Sequence, residues 1–139
     1  MAFAGMNYTA IFVAAIAGFL FGGAYYGALS KQWMAAANLT PENRARTGMA
    51  VPLAISAIAL LVMAWVLAGI IAHLGPGRVT LRNGLISGAF CWLGFVVTTM
   101  SMNHAYQGAK RSLTLIDAAH FLGVLLIQGA VIGWFGVRG

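Results

Sequence analysis

The chain has 139 residues, 61% of them hydrophobic and only 7% charged, against about 25% charged in an ordinary soluble domain. Too few polar groups remain to cover a folded surface in water, so a separate soluble domain is ruled out and the bilayer is the expected solvent. The net charge of +6 comes from eight Lys/Arg residues against two acidic ones; scattered singly along the predicted membrane boundaries, they point to anionic lipid headgroups as partner, with no nucleic acid.

A spanning helix needs about 20 mostly apolar residues, and four segments supply them, at 8–29, 51–72, 84–102 and 113–137. The reading is an all-α integral membrane bundle of four transmembrane helices, one membrane domain over residues 1–139. The opening run MAFAGMNYTAIFVAAIAGFLFGG has no basic n-region, and its apolar stretch is longer than the roughly 7–15 residues of a secretory h-region, so a retained first helix is expected. Along it Ala10, Ala14, Gly18 and Gly22 form a ridge at i, i+4 spacing, and Ala15, Phe19, Gly23 and Gly27 form a second ridge beside it. Lipid tails offer no hydrophobic gain for helix association, so small residues that let backbones approach mark packing faces, inside the bundle or between copies. Tyr25, Tyr26 and Trp33 fall where an aromatic belt anchors a membrane boundary.

In the first connection, SKQWMAAANLTPENRARTG, Thr40 is placed to cap a helix and Pro41 to begin it. A short interfacial helix over about 41–48 is therefore predicted. The Gly-Pro-Gly of HLGPGRVTLRN makes the second connection tight, so the second and third spans should be antiparallel neighbours. His73 and Asn83 there read as interfacial. The third span carries a small-residue pair, Gly84 and Gly88, and the only cysteine, Cys91, read as a space-filling thiol. Loops one and three carry Lys31, Arg44, Arg46, Lys110 and Arg111, whereas the opposite side has Arg78, Arg82 and Arg138. The positive-inside rule then places loops one and three in the cytoplasm and both termini outside. The two helix pairs show no convincing internal duplication.

The fourth span, RSLTLIDAAHFLGVLLIQGAVIGW, is apolar yet holds Asp117, His120 and Gln128. On a helical wheel these three fall within about 80° of one another, while Gly129, Gly133 and Gly136 form a separate stripe. Both stripes should face protein. Asp117 lies about 9 Å along the helix from the Lys110–Arg111 boundary pair, and His120 about 13 Å. An ionisable group at the bilayer centre costs at least about 2.5–3.5 kcal/mol, so it needs a partner or a function. Candidate partners are Arg111, His120 and the end of helix three, with Thr98, Thr99, Ser101, Asn103 and His104.

The first reading is a structural clasp, with Asp117 paired to Arg111, His104 or His120. A second is a proton relay, since an Asp and a His three residues apart share a helix face. A third, behind both, is a metal or haem site on His104, Asp117 and His120, which lacks a clear fourth ligand and an HExxH motif. No GxSxG, Ser-Lys pair or Cys beside a His supports a nucleophilic enzyme. Gln128 should hydrogen-bond to another helix.

These residues carry a resemblance. MNYTAIFVAAIAGFLFGGAYYGALSKQW at the first helix, WLGFVVTTMSMN ending the third and LIDAAHFL opening the fourth are similar to the domain-of-unknown-function 1761 family of small bacterial four-helix membrane proteins. The resemblance runs along essentially the whole chain, through Tyr25, Tyr26, Trp33, Trp92, Gly94, Phe95, Thr99, Asn103, Asp117 and His120. It departs after Tyr26, where this chain reads GALSKQW in place of a Pro and a Phe-Gly before the Lys-x-Trp. The resemblance implies a fold and a place in a bacterial inner membrane, and no activity. The expectation is a packing or accessory protein, self-associating or a subunit of a larger complex, without cofactor or metal. The alternative is a small proton-coupled transporter or channel, with Asp117 and His120 titrating and Asn103 and Thr99 lining the path.

Overall fold

The computed structural model describes residues 6–137, so the first five residues of the leader reading and Arg138 of the charge count lie outside the described residues. Helix α1 spans Tyr8–Ala28 and is capped by the Asn7 side chain, which accepts from the backbone N–H of Ala10. The short α2 (Ser30–Ala36) follows almost without a break. Helix α3 (Pro41–Thr47) begins at Pro41 with Thr40 accepting from Asn43 N–H, and it ends one residue short of the expected boundary because Gly48 turns to φ +70°. Helix α4 covers Ala50–Ala72. Pro52 falls in its first turn, where the missing N–H would have had no intrahelical partner.

The third span is longer than the pattern predicts, running from Leu81 to Gln107. It comprises α5 (Leu81–Cys91), a π-helical turn (Trp92–Val96) and α6 (Val97–Gln107). The extra residues, from Asn103 onwards, are polar enough to fall outside a hydropathy window yet keep helical bonds until Gly108. Helix α7 runs Arg111–Phe135. The protein is all-helical, and α1, α4, the α5–α6 span and α7 are each long and apolar enough to cross a bilayer.

Around the bundle the order is α1, α4, α5, α7, each antiparallel to its neighbours, with α7 packed on both α5 and α1. The apolar core, including Ile11, Ala14, Ala64, Leu67, Ile71, Leu125 and Ile132, occupies the half of the bundle nearest the termini and the second connection. Helices α5 and α7 touch through backbone. A Cβ on Gly84 would run into the carbonyl of Gly129, one on Gly129 into that of Gly84, and one on Gly133 into that of Thr80. Van der Waals contact at this separation is the main attraction that lipid-embedded helices have.

The other half is looser. Residues 50–59 of α4 are exposed except for half-buried Pro52, and α6 buries none of its residues. The backbones of α4 and α6 do not come within 8 Å of each other, Cα to Cα, among the described residues. Large apolar side chains, among them Phe12, Ile16, Leu20, Ile55, Ile58, Phe90 and Phe95, project outward where lipid replaces water.

Candidate functional site

Three aromatic donors meet three successive residues of α7. The Tyr25 hydroxyl donates to the Ile116 carbonyl at 2.7 Å, the Tyr26 hydroxyl to the Asp117 carboxyl at 2.7 Å, and the Trp92 indole N–H to the Ala118 carbonyl at 2.8 Å. A carbonyl oxygen has two lone pairs, so Ile116 and Ala118 accept these bonds while remaining in the helix ladder. Trp92 opens the π-helical turn, a one-turn widening that is common at functional positions and re-aims the side chains around it.

The partner of Asp117 corrects the expectation. Its hydrogen bond comes from Tyr26, and among the described residues none joins it to Arg111, His104, His120 or the third span. The cause is the packing of α1. Gly18 and Gly22 of its small-residue ridge pack on α7, and the next i, i+4 member is Tyr26, which arrives opposite Asp117. Tyr25 and Tyr26 are thus half-buried hydrogen-bond donors as well as boundary aromatics. Trp33 leans on Tyr26 edge-on, with centroids 5.8 Å apart, and the Arg44 guanidinium lies over the Trp33 ring at 5.6 Å.

Below the clasp the seam stays polar. His120 is 8% exposed, enclosed by Phe21 in a parallel stack, Tyr26 at 4.7 Å between centroids and Phe121 at 4.6 Å. Gly22 makes room for it, since a Cβ there would lie 2.9 Å from His120 Nε2. Two turns further, Gln128 is fully buried, and its amide donates to the Leu60 carbonyl of α4 at 3.1 Å. Gly18 opens the space above it, with a virtual Cβ 3.3 Å from Gln128 Nε2 and 3.4 Å from Val124. His120 Nδ1 and Gln128 Oε1 are buried without a hydrogen-bond partner among the described residues.

The remaining candidates fall elsewhere. His104 Nδ1 lies 2.8 Å from the Thr114 hydroxyl, and the Thr99 hydroxyl donates back to the carbonyls of Phe95 and Val96. Asn103 and Arg111 are exposed. Gly18 and Gly22 pack on α7, and Gly129 and Gly133 on the α5 side, but Gly23 and Gly27 have nothing within 4 Å and face outward. Among the described residues no group of three His, Cys, Asp or Glu side chains is placed to hold a metal. Because His104 is turned to Thr114, the set His104, Asp117, His120 does not assemble.

A groove of about 420 Å³ opens between α4, α6 and α7, lined in part by Met63, Thr99, Asn103, His104, Gln107 and Phe121. Neither Asp117 nor His120 lines it. Trp92, Phe21 and Leu60 were not singled out as site residues by composition or depth. The continuation of the small-residue ridge into Tyr26 was the available signal for the clasp; for Trp92 the motif WLGFVVTTMSMN was the only one.

Fold and seam together define a multi-pass helical membrane protein whose central helix is held by glycine contacts on one face and by aromatic hydrogen-bond donors on the other. The family model for a protein of unknown function (DUF1761) matches residues 9–133, and the chain belongs to that family. No curated protein and no solved structure matches the chain.

Proposed function

We propose that the chain is a structural or accessory protein of the bacterial inner membrane, one membrane domain in which the polar cluster of α7 is a clasp and does no chemistry. Loops one and three face the cytoplasm in this reading. The outward ridge of Gly23 and Gly27 is the face that meets a second copy or a larger complex. The observation that carries the proposal is the convergence of Tyr25, Tyr26 and Trp92 on Ile116–Ala118, while the groove runs elsewhere. A transport path needs water at Asp117; a clasp needs that carboxyl paired.

The second reading, a proton relay, is favoured by one feature: His120 lies buried against Tyr26 with Nδ1 unpartnered among the described residues. Asp117→Asn separates the two. As a clasp, the variant melts at lower temperature in detergent, because the amide is a weaker acceptor than the carboxylate, and vesicles show no proton uptake with either protein. An unchanged melting temperature together with proton uptake by the parent and its loss in the variant would replace the clasp with the relay.

A further inference from the structure

The groove between α4, α6 and α7 is graded along the membrane normal. Its deep end is apolar, formed by Met63, Phe95 and Phe121; its mouth is polar, formed by Asn103, His104 and Gln107. Beyond the mouth, across Gly108, comes Arg111 at the start of α7, while the Lys110 ammonium turns to α2 and donates to the Ala35 carbonyl. From Phe95 to Gln107 the helix rises about 18 Å, slightly more than one leaflet, which is about half of the roughly 30 Å hydrocarbon core. The volume, about 420 Å³, falls in the roughly 300–1,000 Å³ range of ligand clefts. The backbones of α4 and α6 stay apart, and Phe95, Thr99 and Asn103 on the groove wall are exposed, so the groove is open sideways to lipid.

The Asn103 and Gln107 side chains make no hydrogen bond among the described residues. Both amides are exposed at the bilayer edge, free to bond an ester group there, and Arg111 at the start of α7 favours an anion beside them. Apolar floor, amide mouth and cationic rim follow the same order as the acyl chain, ester and phosphate of a phospholipid. We propose that this groove holds one anionic phospholipid, its acyl chain along Met63, Phe95 and Phe121, its ester region on Asn103 and Gln107, and its phosphate toward Arg111. The site is separate from the clasp, so either can fail alone.

Native mass spectrometry of the full chain, released from detergent with phosphatidylglycerol or phosphatidylcholine, tests it. One retained phosphatidylglycerol per chain is expected, with phosphatidylcholine held more weakly. Asn103→Leu with Gln107→Leu should weaken retention about tenfold, the effect of losing one or two hydrogen bonds. Arg111→Gln should erase the preference between headgroups, and Met63→Trp should fill the deep end and remove both lipids. A far-UV melt of each variant shows that it is folded, and Arg111→Gln and Met63→Trp read the two ends independently. Equal retention of the two lipids by the parent, unchanged retention in folded variants, or a dimer in place of the lipid adduct would overturn the proposal.

Discussion

A single methyl group at Gly84 should damage the bundle, and the same methyl at Gly23 should not. At Gly84 an added Cβ would lie within the van der Waals shell of the Gly129 carbonyl, and Gly129 is the same in reverse. One turn on, a Cβ at Gly88 would lie 2.5 Å from the Leu125 carbonyl oxygen, where ordinary contact begins at 3.4 Å, a shortfall of about 0.9 Å. These obstructions are backbone, so no rotamer change relieves them and α5 must move away from α7. Overpacking of this kind costs about 1–3 kcal/mol. Replacing Gly by Ala in a helix returns up to about 1 kcal/mol in water. In a bilayer the gain is smaller, because the separated helices remain helical. Gly84→Ala is therefore expected to lose about 1–3 kcal/mol, and Gly23→Ala, with nothing within 4 Å, to stay between neutral and about 1 kcal/mol more stable. Reversible unfolding by SDS in mixed micelles, followed by far-UV circular dichroism, measures both. If Gly84→Ala is as stable as the parent, the close α5–α7 crossing is wrong. If Gly23→Ala leaves the fold intact but lowers the oligomer fraction, the outward ridge is an interface between copies.

Gln128→Leu should be neutral within about 1 kcal/mol or stabilising. It gives up one amide bond to Leu60, worth about 0.6 kcal/mol between membrane helices, and removes the unpartnered Oε1, whose burial costs about 1–3 kcal/mol; a loss beyond 2 kcal/mol in the same assay would show that Oε1 is satisfied. Gly22→Ala should destabilise by about 1–2 kcal/mol, because its methyl meets a His120 ring penned in by Phe21 and Tyr26. Adding His120→Ala should recover part of that loss, and strict additivity of the two changes would contradict the contact.

Composition and span length were enough to predict four membrane helices, because a hydrophobic run of that length has few other solutions. The two stripes of α7 could also be read, since 3.6-residue periodicity separates Gln128 from Gly129 without knowledge of any neighbour. What periodicity does not carry is pairing between helices. Asp117 has chemically stronger candidates nearby in sequence than a tyrosine, and charge complementarity pointed to Arg111 and His104. Geometry overruled it: α1 lies against α7 along its small ridge, and Tyr26 is four residues beyond Gly22. The π-helical turn was hidden for a different reason. WLGFV is apolar on every side, so inserting one residue per turn leaves no mark on the pattern. The extension of the third span to Gln107 was missed because hydropathy windows stop at polar residues, whereas helical hydrogen bonds do not.

The clasp lies where close packing gives out, and its energetics suggest what it contributes. Three interhelical hydrogen bonds at about 0.6 kcal/mol each supply roughly 2 kcal/mol. Yet a ridge of small residues repeating every four positions specifies register weakly. Sliding α1 by one repeat, about 6 Å, would leave small residues along the seam and bring Gly22 opposite Asp117. Asp117 would then lose the Tyr26 bond, and an ionisable group left unpaired in the outer third of the core costs part of the roughly 2.5–3.5 kcal/mol that applies at its centre. The bond between Tyr26 and Asp117 therefore counts for more in the registers it forbids than in the one it holds.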